Sequence, residues 1–270
     1  MPTLKLADCR GDWALVTGAS SGIGREFCRQ LGRCGVNLVM VARRAARMDQ
    51  LASELRAEFG VSSLTITQDL GERGAAAQVK AAVEARGITI RILINNAAYG
   101  PWGRFERTPA ETYESLIHLV AATPVSMCLE FLPHLVSYPD SAIVNLSSPA
   151  ALQPVPYKAV YSAAKICLHN FSLALFAEWE HRGIVVQTLI PGPTRSELDE
   201  KGGAYKSALT EERRDPSEVV TASLRHLERG DPLVTTARGT YKQRFFSGMF
   251  PARVVVHKVA EMFRPPEQGI

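Results

Sequence analysis

Tyr161 and Lys165 stand four residues apart in Tyr161-Ser162-Ala163-Ala164-Lys165, so on a helix they share one face. A phenol with an ordinary pKa of ~10 is a poor acid or base at neutral pH. A nearby ammonium favours the phenolate and lowers that value. Upstream, Ile143-Val144-Asn145-Leu146 reads as a buried strand and ends in Ser147-Ser148. A hydroxyl at that strand end could hold a carbonyl oxygen while the phenol gives or takes its proton. The three types together suit reduction of a carbonyl or oxidation of an alcohol. Tyr-x-x-x-Lys alone is also an ordinary helix-face pattern, so its weight depends on what else the chain carries.

A second group of residues lies near the N-terminus. The strand Trp13-Ala14-Leu15-Val16 runs into Thr17-Gly18-Ala19-Ser20-Ser21-Gly22-Ile23-Gly24, and a helix with Phe27 and Leu31 on one face follows. Strand, glycine turn, helix is the geometry that binds a dinucleotide. Gly18 permits the turn, Gly22 lets backbone N–H groups approach a pyrophosphate, and Gly24 permits close packing of helix on strand. The helix dipole favours the negative charge.

The next strand ends Val41-Ala42-Arg43-Arg44, with no acid before Asp49. An acid there would suit the ribose hydroxyls of NAD. Two guanidiniums suit a 2′-phosphate, and the Ser20 hydroxyl can add to them, so the expected cofactor is NADP. Arg44 could instead only cap the next helix.

These residues need elements to hold them. Short β-branched runs fall at 13–17, 36–42, 61–67, 90–94, 142–146, 184–190 and 232–236, and helical-period stretches at 22–34, 45–59, 71–86, 108–136 and 157–181. Such alternation predicts an α/β fold: a doubly wound parallel sheet of about seven strands with helices on both faces, Rossmann-like. The rhythm is unbroken to about residue 190, so residues 1–270 read as a single dinucleotide-binding domain. A substrate lid is expected at 195–213, which holds Gly202-Gly203, and a basic helical segment at 238–264.

The glycine spacing Gly18-x-x-x-Gly22-x-Gly24, followed at a distance by Ser148, Tyr161 and Lys165, resembles the short-chain dehydrogenase/reductase family in its compact single-domain form. The resemblance covers roughly residues 10–200, with the motifs in the family's order. It selects Ser148 over Ser147, by the spacing to the tyrosine. It implies that Ser148 holds the substrate oxygen, Tyr161 is the general acid/base, and Lys165 tunes Tyr161 and binds the nicotinamide ribose. It adds Ser21 and Ile23 in the turn, Asp69-Leu70 beside the adenine, and Asn96-Ala97 of Asn95-Asn96-Ala97-Ala98 at the adenine ribose. Ala98 replaces the usual glycine. Asp69 could equally cap a helix from Gly71. Pro191-Gly192, Thr194 and Ser196 resemble the loop that holds the nicotinamide carboxamide, with Ser196 where Thr is usual.

One departure stands out. Many members carry a further catalytic Asn in the long helix after the fourth strand, at a kink where its main-chain carbonyl holds a water in the proton relay to lysine. Here that position falls on Val120, and no Asn lies between Asn96 and Asn145. Pro124 has no N–H to bond the Val120 carbonyl, so the same carbonyl could be freed by another route. A weakened relay is the alternative.

Tyr99, Trp102, Ala150, Pro154 and Tyr157 are candidate pocket walls and favour an alcohol or ketone on a hydrophobic skeleton; Arg195 is the one nearby candidate for anion binding. Apolar residues on more than one face of 108–136 and 157–178 suggest a homodimer or homotetramer. The rival reading is a non-catalytic NADP-binding regulator or scaffold on the same fold. A sugar-nucleotide epimerase fits less well, for its glycine spacing and larger C-terminal domain would differ.

The chain's 270 residues are 46% hydrophobic and 21% charged, which excludes a disordered or low-complexity chain. The net charge, 31 − 27 = +4, is too mild for a nucleic-acid partner. Five cysteines without Cys-x-x-Cys spacing suggest neither disulfides nor a metal site. Met1–Arg10 has no apolar run, and Glu130, Pro124 and Pro133 interrupt the stretch 116–138, so a cytoplasmic protein without a transmembrane span is expected. The charge is uneven. Residues 238–264 hold six Arg or Lys and one acid, a balance of +5, beside Phe245, Phe246 and Phe250. That segment is either a docked terminal helix with solvated charges or a basic amphipathic element that touches a membrane surface or an acidic partner.

Overall fold

The computed structural model describes residues 2–195 and 213–265. Seven parallel strands form one sheet in the order β3-β2-β1-β4-β5-β6-β7. They are β1 Trp13–Thr17, β2 Asn37–Ala42, β3 Ser63–Thr67, β4 Ile90–Asn95, β5 Ser141–Leu146, β6 Ile184–Ile190 and β7 Leu233–Thr235. The doubly wound fold expected from the sequence is the fold observed.

The helices are α1 Gly22–Arg33, α2 Ala45–Phe59, α3 Ala75–Glu84, α4 Ala110–Ile117, α5 Thr123–Leu135, α6 Ala159–Trp179, α7 Pro216–Leu227, α8 Thr240–Met249 and α9 Ala252–Phe263. Alternate strand residues face opposite layers. Val16, Met40 and Ile94 pack with Phe27 and Leu31 of α1, Leu51 of α2 and Val220 of α7. Leu15, Val41 and Leu93 pack with Val79 of α3, Phe131 of α5 and Leu175 of α6. Both faces are covered, which is why β2 and β6 could be so apolar. Phe27 and Phe131 are fully buried, each stabilising the core by roughly 1.5–3 kcal/mol.

Two stretches, Ala110–Leu135 and Ala159–Arg182, are long and apolar enough to cross a membrane. Here they are core helices, with Met127, Phe131, Leu135 and Leu175 packed onto the sheet.

Several boundaries differ from the sequence reading for identifiable reasons. The helix expected at 71–86 starts at Ala75, because the Asp69 carboxylate accepts from Gly71 N (2.9 Å) and holds 70–74 as turns. The stretch 108–136 is broken by a π-helical turn, His118–Ala122, between α4 and α5. Thr123 N–H donates to the His118 carbonyl five residues back. Pro124 cannot donate to Val120, so α-helical spacing is interrupted at the residue pair that the sequence marks. The C-terminal segment is two helices, parted before Pro251. Helix α7 had been overlooked, although Asp215-Pro216 is a start signal: the Asp215 carboxylate accepts from Ser217 N at 2.9 Å, and Pro216 opens the helix.

The strand order reverses between β1 and β4, and the C-terminal ends Thr17, Ala42, Asn95, Leu146 and Ile190 lie along one edge. In open sheets of this kind, that edge is where ligands bind.

Candidate active site

The glycine turn is locked from two neighbouring strands. Gly18 N–H donates to Val41 O at 2.8 Å. Thr17 Oγ1 donates to Ile94 O (3.2 Å) and accepts from Asn96 N (2.9 Å) and Ala97 N (3.1 Å). Asn96 Nδ2 donates to the carbonyls of Thr17 (2.8 Å) and Gly18 (3.3 Å). Gly18 and Gly22 have φ of 67° and 54°, a region that glycine enters without steric cost. Gly24 answers to space instead. A Cβ there would collide with the Gly18 carbonyl oxygen and lie 2.5 Å from Asn96 Nδ2. The Ile23 side chain packs into the core, which leaves its backbone to the turn.

Arg44 sits over this turn. Its Nε and Nη2 donate to Ser20 Oγ at 3.1 and 2.8 Å, and Nη2 donates to Ser21 Oγ at 2.9 Å. Its side chain makes no cap bond to α2, so the guanidinium is directed to the turn. Arg43 is exposed and reaches Asp69 Oδ2 at 3.4 Å. Leu70 is buried, and its carbonyl accepts from Thr123 Oγ1 at 2.7 Å.

Across the edge, β5 delivers the serines. Ser147 is buried, with its N–H on Leu189 O (2.8 Å) and its Oγ donating to Lys165 O (3.4 Å). Ser148 is half-buried, and its Oγ accepts from Ala150 N at 3.2 Å. That bond uses a lone pair and leaves the hydroxyl hydrogen to donate elsewhere.

Helix α6 presents Tyr161 and Lys165. Tyr161 packs in a cluster with Leu116, Val120, Ala121 and Ala164, against Tyr99 and Ala150. Lys165 is 3% exposed, and its Nζ donates to Leu146 O at 2.6 Å. Burial pulls the Lys165 pKa down to about 7, because desolvation penalises the ammonium. The Leu146 carbonyl acts in the opposite sense, since it accepts from the charged form. Lys165 Nζ lies 5.7 Å from the Tyr161 ring centroid.

Two residues here escaped the sequence reading. Lys158 Nζ lies 5.9 Å from the Tyr161 ring centroid, so a second amine flanks the phenol. Gly100 touches the same ring: a Cβ there would lie 2.8 Å from Tyr161 Cδ2. The signal for Lys158 is its place three residues before Tyr161, at the start of α6. For Gly100 it is a glycine just beyond the fourth strand.

The remaining candidates are placed unevenly. Gly192 N donates to Thr236 Oγ1 (3.1 Å), and Thr194 Oγ1 donates to Gly192 O (2.7 Å), so that hydroxyl is occupied within the loop. Arg195 pairs with Asp215 at 2.7 Å, which offsets its charge for an anion. Tyr157 has φ 64°, the one positive value at a non-glycine residue among those described, and its carbonyl accepts from Gly103 N. Trp102 Nε1 donates to Phe263 O at 2.9 Å. Pro154 lines a groove of about 540 Å³ together with Ala151, Ala159, Ser162, Ala163 and Ile166. Ser196 and nearly all of the expected lid, 195–213, lie outside the described residues.

The site therefore combines a glycine turn shaped for phosphate, a guanidinium backed by hydroxyls, and a phenol beside two amines near a serine. The family model for short chain dehydrogenases matches residues 12–206. A very-long-chain 3-oxoacyl-CoA reductase of Anas platyrhynchos is 32% identical over 186 residues, 67% of this chain and 59% of that protein. The chain thus spans less than two thirds of that relative's length. A 7beta-hydroxysteroid dehydrogenase of Collinsella aerofaciens is 29% identical over 191 residues, 71% of this chain and 72% of that protein. Among solved structures, a short-chain dehydrogenase from Sphingobium yanoikuyae in complex with NADPH superimposes with a TM-score of 0.79 at 29% identity, covering 96% of this chain and 98% of that one.

Proposed function

Because the chain belongs to the short-chain dehydrogenase/reductase family, we propose that it is an NADP(H)-dependent oxidoreductase that interconverts a carbonyl and an alcohol on an apolar skeleton. The observation that carries this reading is the pair of amines at the Tyr161 ring, Lys158 Nζ 5.9 Å and Lys165 Nζ 5.7 Å from its centroid. A cation beside a phenol favours the phenolate, which suits a group that gives and takes a proton.

The residues at the glycine turn fit the cofactor. Gly18 and Gly24 let the turn close against Asn96, Ala97 and the Gly18 carbonyl where a Cβ would collide, and Arg44 with Ser20 and Ser21 matches a 2′-phosphate. The NADPH named with the Sphingobium structure supports NADP for this chain. When bound, the nicotinamide supplies or accepts the hydride.

This chain's residues do the rest. Ser148 donates its free hydroxyl hydrogen to the substrate oxygen. Tyr161 donates a proton to that oxygen in reduction and takes it back in oxidation. Lys165 holds the proton reserve behind Tyr161, with a pKa of about 7 that lets it exchange near neutral pH. Pro124 cannot donate to the Val120 carbonyl, and the π-helical turn at 118–122 lies where the relay to Lys165 would run. Tyr99 and Ala150, partly buried against the Tyr161 cluster, give the substrate an apolar wall beside the phenol. The steroid and acyl-CoA names of the relatives agree with an apolar substrate.

We also place a second copy of the chain on the α5–α6 side. Val125, Leu129, Val136 and Ile166 are exposed there, an apolar face of the kind that pairs symmetrically.

The test is NADPH oxidation across a panel of aliphatic, aryl and steroid ketones, with Tyr161→Phe beside the wild type. The expected outcome is turnover on apolar ketones and a loss of about 10³-fold in kcat for Tyr161→Phe, with NADPH affinity kept. NADPH binding without turnover on any ketone would favour the regulator reading. Turnover unaffected by the substitution would refute the assigned chemistry.

A further inference from the structure

The described basic residues of the C-terminal segment, Arg238, Lys242, Arg253, Lys258 and Arg264, are all at exposed positions. Large apolar side chains share that exposure: Phe245 64%, Met249 57%, Phe250 48% and Val254 52%. Helical spacing puts Lys242, Phe245 and Met249 on one stripe of α8. Phe250 follows at the junction of the helices, and Val254 and Lys258 share a stripe of α9. Apolar and cationic side chains are thus interleaved along the exposed stripes of both helices, with a formal balance of +5 over 238–264.

The opposite surface of the pair is attached to the rim of the site. Val259 is buried, Phe263 O accepts from Trp102 in the loop after β4, and Ser247 Oγ donates to Leu152 O at 3.5 Å in the loop after β5. The helix pair therefore sits beside the mouth of the catalytic edge and presents its apolar and basic side outward.

The other exposed apolar face has a different character. No Lys or Arg lies between Arg107 and Lys158, so α5 carries Val125, Leu129 and Val136 without any cation. Charge separates the two surfaces. A face without cations suits a second copy, while a face where cations alternate with aromatics suits an anionic lipid surface, where rings enter the headgroup–acyl boundary and cations meet phosphates.

We propose that α8 and α9 form a membrane-surface docking element that lays the protein on an anionic phospholipid bilayer with the catalytic mouth toward the lipid. Phe245, Met249 and Phe250 insert, and Lys242, Arg253 and Lys258 contact the lipid phosphates. Docking of this kind would present lipid-dissolved carbonyl substrates to the site without passage through water. The surface contact itself does not depend on the oxidoreductase reading.

The test is sedimentation of the full chain with vesicles of three parts phosphatidylcholine to one part phosphatidylglycerol, against vesicles of phosphatidylcholine alone. We expect binding to the mixed vesicles at low salt, much weaker binding to the neutral ones, and release as salt is raised. The double variant Phe245→Ser/Met249→Ser should lower partitioning about tenfold or more. Lys242→Gln/Lys258→Gln should lower it on the anionic vesicles only. Turnover of a water-soluble ketone should stay at the wild-type level in all these variants, so a failed membrane assay and a failed enzyme assay are separable. No binding to the mixed vesicles at low salt would overturn the proposal. So would partitioning that the Phe245 and Met249 changes leave intact, or loss of a dimer in that double variant, which would assign the surface to a second copy.

Discussion

The two sides of the catalytic edge are built on different principles. On the cofactor side, the turn after β1 is held by Thr17 and Asn96 through five hydrogen bonds that reach β4 and the turn itself. Gly24 has no room for one more carbon. On the substrate side, the loop after β4 exposes Phe105 at 61%, and Trp102 ties it to α9 by one indole bond. Ser247 of α8 reaches the loop after β5 through a bond to Leu152 O at 3.5 Å. The first side is over-determined and tolerates little change, as a site for one fixed cofactor should be. The second is tied to other loops and helices rather than to the sheet, through Gly103 N–H to Tyr157 O, Tyr113 Oη to Phe105 O and Trp102 Nε1 to Phe263 O, and substrate range can alter there without disturbing the sheet.

Lys165 belongs to the tightly built side and gives the largest expected effect. Its folded pKa of about 7 lies below the ordinary lysine value of 10.5. Between those values the unfolded chain binds a proton that the folded chain does not. Stability therefore rises with pH through that window, by up to about 1.4 kcal/mol per unit, and the burial penalty is fully present below about pH 7. Buried thiols such as Cys9, raised from 9.0 to about 12, act the other way above pH 9. The comparison is therefore made from pH 7 to 9, as urea unfolding of the wild type and Lys165→Met. The wild type should gain stability relative to the variant as pH rises. Parallel curves would mean that Lys165 is not desolvated.

Gly24→Ala probes the same side by steric means. The new Cβ must displace either the Gly18 carbonyl or the Asn96 amide, and both belong to a hydrogen-bonded frame. Overpacking of this kind costs about 1–3 kcal/mol, and here it falls on the phosphate cradle. NADPH affinity should drop about 100-fold by fluorescence titration, with the far-UV spectrum kept. Unchanged affinity would place the pyrophosphate elsewhere.

What could be read from the sequence follows the same division. The turn was legible because backbone sterics restrict Gly18, Gly22 and Gly24 to one residue type at fixed spacing. Tyr161 and Lys165 were legible because one helix spaces them. The start of α3 was not, since a local carboxylate bond from Asp69 overrode helical periodicity. The π-helical turn was foreshadowed only by Pro124, because a proline removes a donor without saying how the helix responds. Gly100 acts through space on a ring from another segment. No spacing rule encodes such contacts. The segment 196–212 lies outside the described residues, so the lid stays a reading of its polar, glycine-containing sequence.

Gly100 is where the two sides meet, and it gives the smallest of these effects. It lies in the loop after β4, yet it touches the ring of Tyr161, which the tightly built side positions. Its φ is not in the positive region, so backbone freedom is not what requires a glycine there. Space is: a Cβ would lie 2.8 Å from Tyr161 Cδ2 and 3.2 Å from Cε2. In Gly100→Ala, either the ring or the loop must give way. If the loop yields, kcat stays near the wild-type value and the substrate side is as compliant as its attachment to loops and helices implies. If the ring yields, its hydroxyl moves off the substrate oxygen, and misplacement of a reacting group by a fraction of an ångström costs about tenfold. The ring is backed by Leu116, Val120 and Ala164, all buried, but it keeps 9% of its surface exposed, and it can tilt that way. The expected outcome is therefore a tenfold fall in kcat with NADPH affinity unchanged, checked by steady-state kinetics and titration on the same preparation. A fall in NADPH affinity instead would show that the loop after β4 serves the cofactor, and the division between the two sides would have to be redrawn.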